Sequence, residues 1–327
     1  MSTPVRKWDS SQEQRPILLD HFTVEELRAR RDLQERFLRY HWDVYNDLAF
    51  KRSKVVDKIK KRLREAAKAY YKFSKWQRAV TYRYSDQPFS ITGSILDPAG
   101  GRFNIGDINP AQFPKFPALY IALDKPTAMQ EALCQQIPSG QENQALDFAL
   151  MNPTSISMIS MSGLLSSYID LSDPARLKPF VELIKHFPIP EPLKKEAKEL
   201  RLPPLQLIKT VPDLMTSLLN PDWRFNPMQC DVPAPSQLFG QLVSEAGIEG
   251  IIYASKYSSR PCLAVYLHNF EEGSFIQLDE PAPAGVKIRR VDSKTWDDCE
   301  CKKSTHYVCV TKLGPNETKP SDDLPNT

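Results

Sequence analysis

The stretch Ala118-Leu-Tyr-Ile-Ala-Leu-Asp-Lys-Pro-Thr127 joins a strand to a helix within a short span. Its first six residues form a compact apolar run, which is typical of a buried strand. Asp124 stands where a helix N-cap is expected, and Pro126 falls early in the first turn. Glu131 then lies about two turns into that helix. The stretch therefore predicts a buried strand that leads directly into a helix.

Two segments upstream of this unit carry arginines. Ala79-Val-Thr-Tyr-Arg-Tyr84 is dominated by β-branched and aromatic residues and predicts a strand with Arg83 inside it. Gly100-Gly-Arg-Phe-Asn-Ile-Gly106 predicts a loop whose glycines let the backbone approach a ligand, while Arg102 offers a planar fork for phosphate oxygens. The glycine spacing matches neither the dinucleotide-binding fingerprint nor a P-loop. Taken singly, the loop is typical of a tight turn, and Arg83 is typical of an arginine on the solvated face of a strand.

The downstream half alternates predicted strands with a proline-broken helical region. We predict strands over 155–161, 250–254 and 262–267, helices within 172–225, and a helix over 236–246. Ser255 follows the apolar strand Gly250-Ile-Ile-Tyr-Ala254, where a serine most often only satisfies the backbone. Ser258 and Ser259 lie close enough to be rivals for any role given to Ser255.

The N-terminal quarter is predicted to be a polar arm followed by a helical hairpin. Thr23 and Glu26 match a capping box for a helix that runs to about Asn46. Apolar residues at three- or four-residue steps predict a second helix from about Lys51 to Trp76. We therefore predict an N-terminal extension over 1–78, a catalytic domain over 79–310 with a helical insertion at about 165–225, and a polar tail over 311–327.

Composition indicates an ordinary globular protein, with 41% hydrophobic and 25% charged residues. The polar segment 1–16 does not resemble a secretory signal, and no run of 18 apolar residues predicts a membrane span. The six cysteines are scattered, which is typical of reduced thiols. We predict a cytoplasmic site of action and no membrane partner; delivery as an effector without a classical signal peptide is compatible with this pattern.

Two further patterns compete for a function. Residues 51–78 hold twelve Lys or Arg against two acidic residues, which could suit nucleic acid, although a solvated or partner-facing helix is the commoner meaning of such a run. Cys299, Cys301, His306 and Cys309 could supply four zinc ligands, but their spacing is not one of the common pairs. We predict no metal site and no nucleic-acid partner.

The order of these motifs resembles the RES domain family. The shared elements are a strand arginine, Gly-x-Arg-Phe-Asn-x-x-Gly, Leu-Tyr-Ile-Ala, a glutamate eleven residues after the tyrosine, and Gly-Ile-Ile-Tyr-x-Ser, within roughly 79–136 and 228–270. The resemblance implies a compact α/β fold with an ADP-ribosyltransferase-like mixed sheet core, and the consumption of NAD by hydrolysis or phosphorolysis. The best-known members are toxins paired with Xre-type antitoxins.

The resemblance also implies roles for individual residues. Glu131 would stabilise a ribosyl cation, Arg83 and Arg102 would hold phosphates, and Ser255 would orient Glu131 or the amide of nicotinamide. The implied catalytic residues are Glu131, Arg83 and Ser255, and the implied NAD-binding residues are Arg102, Tyr120, Tyr84, Gly101 and Asn104.

The resemblance leaves the partners and the exact reaction open. NAD is the expected substrate, without a metal, and inorganic phosphate is a possible second reactant. An antitoxin or immunity protein is the expected partner. Two alternatives remain at this point: a mono-ADP-ribosyltransferase with the same site, and a non-catalytic module that binds a partner or nucleic acid through the basic segment 51–78.

Overall fold

A computed structural model describes residues 24–133, 156–203 and 205–299. Three predictions lie outside these residues: the polar arm, the cap at Thr23 and the C-terminal tail. Of the four candidate zinc ligands, Cys299 alone falls within them. No described helix is both long and apolar enough to cross a membrane.

The described chain forms helices and one mixed sheet. The helices are α1 (Val24–Ser53), α2 (Val56–Ala66), α3 (Thr92–Leu96), α4 (Lys125–Leu133), α5 (Lys178–Ile184), α6 (Glu191–Glu199), α7 (Val211–Leu218), α8 (Phe225–Gln229) and α9 (Pro235–Glu245). The strands are β1 (Lys68–Thr81), β2 (Leu119–Ala122), β3 (Ile156–Asp170), β4 (Gly250–Ala254), β5 (Pro261–Val265), β6 (Phe275–Leu278) and β7 (Arg290–Asp292). The mixed α/β class predicted from the sequence is confirmed.

The sheet has the strand order β1-β2-β5-β4-β3-β6-β7, and β1 also pairs with β3. The first five strands in this order therefore close into a ring. The pairing of β3 with β4 is parallel, whereas the other strand pairs are antiparallel. This closure places β1, β2, β4 and β5 around one region of the molecule, where their side chains can share a single site.

Side chains alternate between the two faces of the sheet, as the two-residue period of a strand requires. On β4, Ile251 and Tyr253 belong to a core that also contains residues of the helices α2, α5, α7 and α9. The intervening Ile252 belongs to a second core, together with Leu263 of β5. The sheet is thus buried on both faces. The helices α2, α5, α7 and α9 cover the face that carries Ile251 and Tyr253.

Several predicted elements are confirmed closely. Strand β4 has the predicted bounds. The bounds of β2 and α9 each differ from the predicted bounds by one residue at either end. The cap of α4 is also present, because the Asp124 Oδ1 atom accepts a hydrogen bond of 2.9 Å from the Thr127 N–H. This cap fixes where α4 begins, and with it the position of Glu131.

The first helix runs on to Ser53 rather than to Asn46, so the second begins at Val56 rather than at Lys51, and the predicted second helix is wrong beyond Ala66. Phe73 and Trp76 are buried three residues apart, a spacing that indicates a helix. In the structure they pair with Gly163 and Met161 of β3, so one strand advances by three residues while the other advances by two. This register shift is a β-bulge, and Lys75 within it has a φ of 59°. The extra residue puts two side chains on one face at a helix-like spacing.

The prediction of a strand through Arg83 is also wrong. Strand β1 ends at Thr81, and Tyr82–Tyr84 forms a single 3₁₀ turn. Because β1 begins at Lys68, it crosses the predicted boundary between the extension and the catalytic domain. Similarly, β3 runs to Asp170, so the helical region starts later than the predicted insertion.

The contacts divide the chain into two compact units. One unit comprises Met1–Lys51 with Phe187–Leu205, of which residues 24–51, 187–203 and 205 are described. Within it, Tyr40 and Val44 of α1 pack with Ala197 of α6, and Arg36 forms ion pairs with Glu196 and Glu199. The other unit, Arg52–His186 with Gln206–Thr327, contains α2 and the whole sheet.

We expect α2 to contribute to the stability of the sheet unit. Ile59 is fully buried in the first core, so Ile59→Val should lower the free energy of unfolding by about 0.5–1.5 kcal/mol. The matched control is Leu33→Val on α1, where the side chain is 55% exposed and the change should stay within about 0.5 kcal/mol. Urea unfolding measures both. Equal effects would contradict the placement of α2 in the core.

Candidate active site

A cleft of about 220 Å³ opens on the helix-covered face of the sheet. Strands β1, β2, β4 and β5, helix α4 and three loops supply its walls. The lining residues are Gln77, Ala79, Gly101, Arg102, Tyr120, Ile121, Ala122, Ala128, Glu131, Ala132, Trp223, Arg224, Tyr253, Lys256 and Cys262. They combine a carboxylate, three cations and several aromatic rings, which is a set able to bind an anionic ligand with a flat ring.

Glu131 and Ser255 meet at this cleft although 124 residues separate them. The Ser255 hydroxyl donates to the Glu131 Oε1 atom at 2.5 Å. Ser255 in turn accepts from the backbone N–H groups of Tyr257 and Ser258, at 3.1 and 3.3 Å. Because these donors occupy the serine lone pairs, the hydroxyl proton is directed to the carboxylate. The geometry therefore holds the Glu131 carboxylate in one orientation.

The other two serines are placed differently. Ser258 forms a hydrogen bond of 3.0 Å with Thr127 Oγ1 and so ties this turn to the first turn of α4. Ser259 has a φ of 57° and donates its N–H to the Ser255 carbonyl. Ser255 is the member of this trio that the structure places against Glu131.

The glycine-rich loop is held rigidly behind the cleft. Asn104 is fully buried, and its Oδ1 atom accepts from the Gly101 N–H at 3.0 Å and from the Tyr120 hydroxyl at 2.8 Å. The same hydroxyl accepts from the Phe103 N–H at 2.9 Å. A Cβ atom on Gly101 would stand 2.4 Å from the Tyr120 hydroxyl, so a glycine is required there. Burial raises the pKa of Tyr120, which keeps the phenol neutral as a donor.

A buried glutamine, which was not among the site residues predicted from the sequence, completes the support of this loop. Gln237 on α9 donates to the carbonyls of Ala99, Gly101 and Asn104, at 2.6, 3.1 and 2.9 Å. Its Oε1 atom accepts from the Ala234 N–H, the pattern of a capping residue three positions after the cap. That local pattern is visible in the sequence, whereas the contact with the distant loop is not.

Arg102 is buried rather than solvated, since only 7% of it is exposed. Its Nη1 atom donates to the carbonyls of Asn220 and Leu218, at 3.0 and 3.3 Å. Burial lowers the pKa of Arg102, and the nearby Glu131 opposes that shift. The guanidinium thus contributes a desolvated charge to the cleft and also fixes the turn that follows α7.

The turn after α7 brings residues to the cleft that the sequence analysis did not single out. Trp223 is buried and lies close to two guanidinium groups, with its ring 4.5 Å from Arg224 and 6.0 Å from Arg102. Arg224 itself is exposed. Lys256 donates to the Pro221 carbonyl at 3.2 Å, so a second cleft cation is attached to the same turn.

Arg83 and Tyr84 do not line the cleft. Both are exposed, and the Arg83 guanidinium stacks 4.6 Å from the Tyr84 ring. Gln77 and Ala79 are the β1 residues at the cleft, and Arg78 between them donates to the carbonyls of Ser90 and Tyr120. Burial of that guanidinium lowers the pKa of Arg78 to about 10. The end of β1 at Thr81 explains why the predicted arginine is displaced.

Comparison with known proteins places this architecture in a family. The family described as RES domain matches residues 75–282, more than half of the chain. The chain belongs to the RES domain family. The matched RES segment contains Glu131, Ser255, Arg102 and Tyr120 and excludes α1 and α2.

Two further comparisons accompany this match. A solved structure titled as the M. tuberculosis MbcT-MbcA toxin-antitoxin complex is 13% identical to this RES protein, with a TM-score of 0.37, covering 74% of this chain and 96% of that one. No curated protein matches the sequence. Among the residues that the structure describes, no group of three or more histidine, cysteine or acidic side chains is arranged to hold a metal.

Proposed function

We propose that this RES protein cleaves the bond between nicotinamide and ribose in NAD. The observation that carries the proposal is the Glu131 carboxylate, which Ser255 fixes at 2.5 Å on the wall of a cleft that also contains Arg102. A carboxylate held in one orientation can stabilise a positive charge that develops next to it without reorganisation during the reaction.

The chemistry requires few groups from the protein. When the glycosidic bond breaks, its electron pair leaves with the pyridine nitrogen, and nicotinamide departs as a neutral base. The ribosyl carbon becomes cationic, and Glu131 would stabilise it. Water or inorganic phosphate then adds its oxygen to that carbon; water loses a proton in doing so. The ring of Tyr120, which lines the cleft, would pack against nicotinamide or the ribose.

The diphosphate would be bound by Arg102 and Arg224. Both residues line the cleft, one buried and one exposed, and both guanidinium groups lie near the Trp223 ring. Arg224 replaces Arg83 in this proposal, because Arg83 lies outside the cleft. A charge-assisted fork of this type suits phosphate oxygens better than a lysine does.

The proposed biological role is that of a toxin that depletes NAD in the cytoplasm. Membership of the RES domain family supports this role, together with a protein antitoxin or immunity protein as partner. We propose that residues upstream of the matched RES segment contribute to partner binding, since α1 exposes Leu27 and Leu33.

The proposal is tested by incubating the purified protein with NAD, with and without phosphate. We expect release of nicotinamide together with ADP-ribose, or with ADP-ribose 1″-phosphate when phosphate is the acceptor. Labelled NAD added to a cell lysate reports the third outcome, in which ADP-ribose becomes attached to protein. If the folded protein releases no nicotinamide under any of these conditions, the proposed activity is wrong.

A further inference from the structure

Gln77 lies in the wall of the cleft and takes no part in the proposed chemistry. It is 7% exposed and sits on β1 opposite Ala122 of β2 and Ser160 of β3. Ala79, Ala122, Ala128 and Ala132 also line the cleft, so small side chains leave room there for a flat ring. A polar side chain buried in such a wall needs hydrogen-bond partners.

The hydrogen bonds around Gln77 determine which way its amide points. The Nε2 atom lies 2.8 Å from the Lys75 carbonyl and 3.2 Å from Ser160 Oγ. The Lys75 carbonyl can only accept. The Ser160 hydroxyl donates its proton to the Asp279 carboxylate at 2.7 Å and can only accept from Gln77. Both neighbours therefore require the amide N–H groups, and the Gln77 Oε1 atom must lie on the other side.

That Oε1 atom is buried without a hydrogen-bond partner among the described residues. The Asp279 carboxylate is itself fixed, because its second oxygen accepts from Ser162 at 2.6 Å. The hydrogen bonds from Gln77 to Ser160 and from Ser160 to Asp279 thus fix the orientation of this carbonyl-type acceptor. An orphaned buried acceptor costs about 1–3 kcal/mol unless a ligand supplies a donor.

We propose that Gln77 selects the leaving group by accepting an N–H from the carboxamide of the nicotinamide ring. This inference rests on the proposed function and specifies the base that the site prefers. A nicotinic acid ring carries a carboxylate in place of the amide. It offers no donor to the Gln77 Oε1 atom and places a negative charge against it. Gln77 is therefore a specificity-determining residue, and Ser160 and Asp279 are positioning residues behind it.

The experiment compares kcat/KM for NAD and for its deamido analogue, nicotinic acid adenine dinucleotide. The wild-type protein should prefer NAD by about 5- to 150-fold, the effect of losing one buried hydrogen bond. Gln77→Met keeps the length of the side chain and removes the acceptor, so it should lower activity on NAD and abolish most of the preference. Gln229→Met, at the exposed end of α8, is the matched control and should leave both substrates unchanged.

A second variant tests the positioning residues without touching the cleft. Asp279→Asn removes the carboxylate that claims the Ser160 proton, so Ser160 can donate to Gln77 and the amide can reverse. The preference for NAD should fall in this variant, whereas a merely structural role would lower both activities equally. Equal use of the two substrates by the wild-type protein overturns the inference but leaves the proposed function standing. Cleavage of neither substrate overturns the proposed function itself.

Discussion

A Glu131→Gln variant should fold as the wild-type protein does and turn NAD over about 100 to 1,000 times more slowly, the usual cost of one preorganised electrostatic contact. Glutamine keeps the size of the side chain and still offers an oxygen to the Ser255 hydroxyl. In the wild-type protein this hydroxyl contacts Glu131 Oε1. The variant therefore removes the negative charge while the local hydrogen bond persists. Nicotinamide release measures the rate, and thermal melting verifies the fold.

The serine at position 255 provides the matched comparison. Ser255→Ala removes the group that orients the carboxylate but leaves its charge, so its loss of turnover should be smaller than that of Glu131→Gln. Ser258→Ala breaks a hydrogen bond to Thr127 rather than to Glu131, so its loss of turnover should be smaller still. Turnover close to the wild-type value in a folded Glu131→Gln protein would remove Glu131 from the mechanism.

An Arg102→Lys variant should lower kcat/KM for NAD by about 10- to 150-fold, because one charged hydrogen bond contributes roughly 1.5–3 kcal/mol. Arg102 is buried, and its Nη1 atom already serves the carbonyls of Leu218 and Asn220. A lysine ammonium cannot reproduce the planar fork that serves these carbonyls and a phosphate together. The melting temperature should also fall, since two carbonyls lose a donor.

Nicotinamide riboside separates the two roles of Arg102, because this substrate has no diphosphate. If Arg102 binds phosphate, the variant should lose much more activity on NAD than on the riboside. Equal losses on both substrates would show that Arg102 acts only by holding the turn after α7. Arg224→Lys is the comparison at an exposed guanidinium, where solvent screening makes the expected loss smaller.

Local sequence patterns predicted the elements that position Glu131 and Ser255. The strand–helix unit β2–α4 and the strand β4 each fall within one stretch of chain, so their caps and apolar runs were readable. The meeting of Ser255 with Glu131 was implied by the family resemblance and is present in the structure. The loop at Gly101 was also assigned to the site, and it lines the cleft.

The errors arose where contacts between distant segments decide the outcome. The bulge at Lys75 depends on pairing with β3 and gave Phe73 and Trp76 a helix-like spacing. The position of Arg83 depended on where β1 ends. Trp223 and Arg224 follow helix α7 in the sequence and line the cleft in the structure. No local sequence pattern predicts that contact.

The order in which the cleft residues occur along the chain has a consequence for protein synthesis. Gln77 is made early, whereas Ser255, Lys256 and Cys262 are among the last residues of the site to be translated. Until residue 255 has left the ribosome, the Glu131 carboxylate has no hydroxyl to orient it, and the turn at Pro221 lacks its lysine contact. A nascent chain therefore has no assembled cleft until strand β5, which carries Cys262, has been translated.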